Sequence, residues 1–224
     1  MYDFSYFREN DRAVILHFLE KNPFAFLTGS TRDGQQVATQ IPILFEEREG
    51  QLYLQGHIMR KTDHHKAFIE NPRALVVFTG PHTYVSGSWY SNPQIASTWN
   101  YMSVHIHGNM KFLNDEELID LMKKLTLKFE KGDAASPTIY DNLPQPFLQK
   151  MLPAIVGFEM RAEEIKNVFK LSQNRDEKSY RTIIKNLEEV QEQGNAALIA
   201  DEMKARLQDL FPPGVEWDGS RFSS

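Results

Sequence analysis

Apolar and polar residues alternate along much of this chain, which is the pattern of strands with one buried face. The clearest case runs from Thr98 to Phe112, where the even positions are mostly apolar and the odd positions mostly polar. Period-two alternation predicts a single strand whose second face offers polar groups to its surroundings. Shorter runs predict further strands at 24–28, 37–45, 51–54, 73–79, 83–85, 155–160 and 168–171.

Helical periodicity appears at both ends of the chain and twice between the strands. Asn10 is the expected cap of a first helix that ends before Pro23, and Thr62 starts a second that Asn71-Pro72 closes. Asn114 with Glu117 predicts a capping box for a third helix. Two apolar stripes on either side of Gly194 predict a helical tail. Short strands with peripheral helices favour an α+β, mainly β fold, a small β-barrel carrying helices.

The composition of the chain excludes or disfavours several kinds of site and partner. The 224 residues include no cysteine, which excludes disulfides, thiolate metal sites and a cysteine nucleophile. The formal net charge of −5 argues against an extended nucleic-acid surface, so direct DNA binding is doubtful. No apolar run is long enough to span a membrane and no signal sequence is evident, so we expect a cytoplasmic protein.

The segment from Gly56 to Lys66 is the first candidate site. It runs from the end of a strand into a helix start, where free amides and nearby cations favour a phosphate. Its side-chain donors are Arg60, Lys61, His64, His65 and Lys66. The alternative is a solvated basic turn in which Thr62 serves only as a helix cap.

Three further features carry candidate chemistry. Aromatic residues concentrate between Pro81 and Tyr101, and such side chains cover a flat ring, a core or a dimer contact equally well. His105 and His107 have a spacing acceptable for a metal, but no neighbouring carboxylate completes a ligand set, so we assign no metal site. Lys170 and Gln173 are polar donors just before the tail, where Asn174 and Glu177 predict a cap.

The order of these segments closely resembles the PaiB family, bacterial FMN-binding negative transcriptional regulators connected with protease synthesis and sporulation. The resemblance rests on six blocks that span nearly the whole chain. These are GHIMR at 56–60, FTGPHTYVS at 78–86, SWY at 88–90, TWNY at 98–101, IVGFE at 155–159 and KLSQNR at 170–175. The family commonly has proline where this chain has Gly87, and Arg-Ala-Asn-Pro where this chain has Arg60-Lys61-Thr62-Asp63.

The resemblance implies a flavin-binding split barrel at 1–175, followed by a helical tail at 176–224. It implies a homodimeric flavoprotein with FMN held at the subunit interface. Thr39, Gln40 and Ile41 would lie along the isoalloxazine, while Arg60, Lys61 and Thr62 would hold the phosphate. Trp99, Asn100, Lys170 and Gln173 would make further contacts from either subunit.

Three functions stay open at this point. The first is a dimeric FMN-binding protein whose regulatory role is indirect, because the chain from Arg161 onward has 10 Lys and Arg against 12 Asp and Glu. The second is a flavin-dependent reductase or oxidase, for which the sequence offers no catalytic acid or base. The third is a haem-binding split barrel, since the chain has seven histidines.

Overall fold

Seven strands form one sheet in a computed structural model that describes residues 2, 4–92, 94–190 and 194–219. The strands are β1 (Phe24–Ser30), β2 (Gln36–Pro42), β3 (Leu44–Arg48), β4 (Gln51–Met59), β5 (Arg73–Val85), β6 (Thr98–Phe112) and β7 (Ile155–Lys170). Their order across the sheet is β2-β1-β5-β6-β7-β4-β3. The pairs β1–β2, β1–β5, β3–β4 and β4–β7 are antiparallel.

Helices follow or precede these strands. The α-helices are α1 (Arg12–Lys21), α2 (Asp63–Glu70), α3 (Asp115–Phe129), α4 (Gln145–Met151), α5 (Glu177–Glu189), α6 (Asn195–Ala205) and α7 (Leu207–Leu210). Single 3₁₀ turns lie at Ser5–Phe7, Gly87–Trp89, Tyr140–Asn142 and Leu152–Ala154. Among the described residues, no helix combines the length and the apolarity that a membrane crossing requires.

The described residues group into two compact units. Unit 1 comprises Met1–Lys21, Thr79–Val104 and Lys166–Ser224, and unit 2 comprises Asn22–Phe78 and His105–Ile165. Each unit has buried apolar side chains of its own. In unit 1 they include Phe18, Val104, Leu171, Tyr180, Ile183 and Met203. In unit 2 they include Leu27, Leu54, Phe68, Val76, Phe158 and Met160.

Several predicted elements are confirmed to the residue. The alternating segment Thr98–Phe112 is one strand, and its apolar even positions Met102, Val104 and Ile106 are buried. Asn114 and Glu117 form the predicted capping box of α3. Thr62 caps α2. Local signals therefore specify these element ends.

Other boundaries differ from the prediction. Residues 73–85 form one strand rather than two, and so do residues 155–170. The predicted strand at 37–45 is instead two strands that meet at Ile43, whose amide donates to the carbonyl of Pro23.

Two predicted caps are wrong. Asp11 rather than Asn10 accepts a hydrogen bond from the first turn of α1. Asp176 rather than Asn174 caps α5, through the amide of Ser179.

A candidate anion site and its surroundings

The turn between β4 and α2, in unit 2, is held by a compact hydrogen-bond network. The Thr62 hydroxyl donates to the carbonyl of Met59 at 2.9 Å and accepts from the amide of His65 at 3.3 Å. The amide of Lys61 donates to Nδ1 of His65 at 3.0 Å. Lys61 has a φ of 67°, a conformation that favours glycine. These hydrogen bonds hold the turn in place, with the backbone of Lys61 in a strained conformation that belongs neither to β4 nor to α2.

The turn carries more positive than negative charge. Within the described part of the chain, the side chains of Arg60, Lys61 and Lys66 form no ion pair. Asp63 contacts His64 instead, and that hydrogen bonding, chiefly from the His64 amide, lowers the pKa of the Asp63 carboxyl. Burial, followed by the charges of Arg60 and His64, lowers the pKa of His65. The cations of the turn, rather than the burial of His65, are what would attract an anion.

The amides of the first turn contribute less than the sequence suggested. The amide of His64 is taken by the Asp63 carboxylate at 2.7 Å, and that of His65 by Thr62. Lysine and arginine side chains therefore supply the donors that an anion would meet at this turn. This set fits a phosphate, which binds well to charged nitrogen donors.

Arg60 is anchored on both its backbone and its side chain. Its amide donates to the carbonyl of Ala154 and its Nε to the carbonyl of Ile155, each at 2.8 Å. The side chain lines a cavity of about 490 Å³ together with residues of α3 and of the 152–154 turn. Sequence reasoning missed this cavity, because no local pattern links residues 60, 115 and 152.

The three β2 residues predicted to line a flavin divide between the two faces of the strand. Thr39 and Ile41 are half-buried and stand opposite Leu27 and Ala25, both of which are fully buried. Gln40 is exposed on the other face, opposite Phe26. Because side chains alternate along a strand, one planar ligand would contact either Gln40 or its two neighbours through their side chains.

The four remaining predicted residues lie in unit 1, where the structure brings two sequence blocks together. Lys170 Nζ donates to the Thr98 hydroxyl and, at 2.9 Å, to the carbonyl of Trp99. Asn100 is fully buried, and its Oδ1 accepts from the Ser172 hydroxyl at 3.0 Å. The 98–100 and 170–173 segments of the family resemblance thus form one polar network.

Lys170 and Gln173 differ in their availability to a ligand. Gln173 is buried, and its amide closes a local turn by bonding the amide of Leu171 and the carbonyl of Phe169. Lys170 is half-buried, and burial, followed by the charge of Arg175, lowers the pKa of its ammonium group. Gln173 therefore shapes the backbone, whereas Lys170 is a cation close to open surface.

An exposed aromatic cluster lies beside Lys170 in unit 1. Trp99 is 53% exposed and Tyr84 49%. The Trp99 ring centroid lies 6.0 Å from that of Tyr84 and 6.2 Å from that of His82. Aromatic faces of this kind stack on flat rings.

His105 and His107 form a pair on β6. In the part of the chain that the structure describes, no group of three histidine or carboxylate side chains is placed to hold a metal ion. His105 is half-buried, and burial is the main cause of its lowered pKa.

The predicted cofactor residues therefore fall into two sets. Thr39, Gln40, Ile41, Arg60, Lys61 and Thr62 lie in unit 2, and Trp99, Asn100, Lys170 and Gln173 lie in unit 1. Within each set the residues that the sequence linked are neighbours in space or in the chain. Their joint role toward one ligand stays a prediction.

Comparison with known proteins identifies the relatives of this chain. The family model described as "Putative FMN-binding domain" matches residues 1–164. The Bacillus subtilis (strain 168) protein named "Protease synthase and sporulation protein PAI 2" is 34% identical over 208 residues, covering 93% of this chain and 99% of the relative.

Two solved structures share the fold at low sequence identity. The FAD and haem binding protein from Mycobacterium smegmatis has a TM-score of 0.56 and 20% identity, over 73% of each chain. The flavocytochrome Anf3 from Azotobacter vinelandii has a TM-score of 0.54 and 16% identity, over 75% of this chain and 72% of its own. The predicted split-barrel fold is confirmed by these similarities.

Proposed function

Because the chain belongs to the PaiB-type family of FMN-binding domains, we propose that it binds FMN and acts as a flavin-dependent regulator rather than as a DNA-binding repressor. The observation that carries the proposal is the cationic turn of residues 60–66. Lys61 and Lys66 of this turn form no ion pair among the described residues. These two cations and the fixed backbone suit the phosphate of FMN, the one strongly charged part of that cofactor.

In this proposal the turn positions the phosphate. Lys61 donates to the phosphate oxygens, while Thr62 keeps α2 and the turn in register through its bonds to Met59 and His65. Thr39 and Ile41, which share one face of β2 in the same unit as the turn, are the proposed neighbours of the isoalloxazine. When bound, FMN would supply one-electron and two-electron transfer.

An FMN titration followed by flavin fluorescence tests this role. Lys61→Ala should weaken binding by roughly tenfold or more, because a hydrogen bond to a charged group contributes about 1.5–3 kcal/mol. Lys150→Ala removes an exposed lysine from α4 and is the matched control, with an unchanged affinity. If the wild-type protein stays folded and does not bind micromolar FMN, the proposal fails.

We also propose that the protein is a homodimer, with β1 at the contact. Phe24 is 57% exposed and Phe26 38% exposed on the same face of this strand, and Val77 of β5 stands beside Phe26. Exposed aromatic residues on one strand face are a common mark of a protein–protein contact.

The regulatory role is proposed to be indirect. The net charge of −5 and the excess of acidic residues from Arg161 onward disfavour binding to the phosphate backbone of DNA. Electrophoretic mobility at low salt should show no sequence-specific complex with operator-length DNA. A specific complex that survives competitor DNA would contradict the indirect role.

A further inference from the structure

A cavity of about 490 Å³ in unit 2 lies beside Arg60 and has no assigned ligand. It is lined by Arg60, Asp115, Leu118, Ile119, Leu152 and Pro153. Its volume falls in the range of small-molecule sites, about 300–1,000 Å³. The Arg60 side chain is fixed there by the bond from its Nε to the carbonyl of Ile155, so its position does not depend on a ligand.

The cavity presents two opposite charges that do not neutralise each other. Among the described residues, the terminal nitrogens of Arg60 have no hydrogen-bond partner, and the Asp115 carboxylate has neither a hydrogen bond nor an ion pair. Helix α3 does not depend on Asp115 as its cap, because Asn114 and Glu117 fill that role. Both charged groups are therefore available to a third partner.

The remaining walls are mainly apolar. Leu118 is almost fully buried, Ile119 and Leu152 are half-buried, and Pro153 is exposed at the edge. A ligand that satisfies all of these surfaces carries one negative charge, one positive charge and an apolar group. Asp115 is exposed, and its carboxylate disfavours a second negative charge beside it and favours an ammonium group.

We propose that this cavity binds an apolar α-amino acid. The ligand carboxylate accepts hydrogen bonds from the terminal nitrogens of Arg60, and its ammonium group donates to Asp115. Its side chain packs against Leu118, Ile119 and Leu152. The proposal does not rest on FMN binding, because Lys61 is the residue proposed to hold the phosphate and Arg60 lines this cavity.

Three probes separate the contributions of the two charges. Leucine carries both charges, 4-methylpentanoate lacks the ammonium group, and 3-methylbutylamine lacks the carboxylate. Titrations of the full-length protein, followed by methyl NMR shifts of the cavity leucines and isoleucine, should show saturable binding of leucine. Each analogue should bind about tenfold more weakly, as expected for the loss of one charge-assisted contact.

The variant Asp115→Asn identifies the ammonium contact. It should weaken leucine about tenfold and abolish the preference for leucine over 4-methylpentanoate, whereas the control Asp120→Asn, on an exposed position of the same helix, should change neither. Both variants should bind FMN as the wild type does, which separates this proposal from the previous one. The proposal is overturned if leucine shows no saturable binding at millimolar concentration. It is also overturned if 4-methylpentanoate binds the wild type as tightly as leucine, or if Asp115→Asn leaves leucine binding unchanged.

Discussion

His57 on β4 makes the stability of the protein depend on pH. Its Nδ1 is buried and has no hydrogen-bond partner among the described residues, and its strand partner is Gly157. Burial lowers the pKa of His57 below the ordinary value of 6.5. Between that value and the lowered one, the unfolded chain binds the proton and the folded chain does not. The stability that neutral His57 contributes is therefore complete above pH 6.5 and is lost as the pH falls through the lowered pKa.

His57→Gln should reduce this pH dependence. In urea unfolding at several pH values, the free energy of unfolding of the wild type should fall from pH 7.5 toward pH 5 more steeply than that of the variant. The difference in slope should be at most about 1.4 kcal/mol per pH unit, the limit for one proton. His17→Gln changes an exposed histidine of α1 and should keep the wild-type slope. Equal slopes for wild type and His57→Gln would contradict the assignment.

Lys61 has a strained backbone conformation and a side chain with a proposed binding role. Two substitutions can test the backbone and the side chain separately. Lys61→Gly and Lys61→Ala both remove the charge, and only glycine adopts a φ of 67° without strain. Lys61→Gly should be more stable than Lys61→Ala by about 1 kcal/mol in chemical unfolding. Both variants should lose FMN affinity equally. Unequal FMN affinities would show that backbone geometry rather than charge governs binding.

At the scale of single residues, the sequence shows which side chains can form a hydrogen bond better than it shows which partner each one contacts in the fold. Thr62 was identified as a cap because a hydroxyl three residues before a free amide is a local signal. The choice of Asp176 over Asn174 depends on the turn at Ser172, whose carbonyl accepts from the Arg175 amide. The cavity position of Arg60 depends on residues more than 50 positions away, which no local pattern encodes.

Among the elements, the β6–β7 pair depends on a glycine that cannot be replaced without moving the backbone. A Cβ at Gly108 would lie 2.1 Å from the carbonyl oxygen of Arg161. A Cβ at Gly157 would meet only side-chain atoms, of Leu113 at 3.0 Å and of Leu118 at 3.2 Å. Gly108→Ala should therefore lower the free energy of unfolding by about 3 kcal/mol or more, and Gly157→Ala by about 1 kcal/mol. Thermal unfolding of the two variants checks the order, and a reversed order would contradict the packing described for β6.

The long strands show why element boundaries were mispredicted. Gly80-Pro81 predicts a turn by its composition, yet both residues lie within β5. Gly80 is needed for packing, because a Cβ there would lie 2.4 Å from the ring of Phe18. In β7 the exposed stretch around Glu163 and Glu164 interrupts the apolar pattern while the strand continues. Backbone pairing with neighbouring strands overrides the local signal in both cases.

At the scale of the whole molecule, the proposed dimer can be tested by a variant that should halve the mass of the protein in solution. Phe26→Glu places a charge on the exposed face of β1 and should convert a dimer into a monomer in analytical ultracentrifugation. Phe147→Glu introduces the same charge at an exposed position of α4 and should leave the dimer intact. A wild-type protein that sediments as a monomer at micromolar concentration would contradict the dimer.

The fold class and the family could be inferred from the sequence alone, whereas the site could be inferred only in part. The ordered blocks between Gly56 and Arg175 pointed to the family that the comparisons identify. The zero cysteine count leaves any redox chemistry to a bound cofactor. The resemblance places Thr39, Gln40 and Ile41 against one ring, although the alternation of side chains along β2 puts Gln40 on the face opposite to the other two.

The central claim is that the turn of residues 60–66 holds the phosphate of FMN. The most direct measurement compares the affinities of the wild-type protein for FMN and for riboflavin, which has the same ring system and no phosphate. The account predicts that FMN binds at least about tenfold more tightly, and that Lys61→Ala reduces this preference without altering riboflavin binding. Equal affinities for the two flavins would contradict the claim.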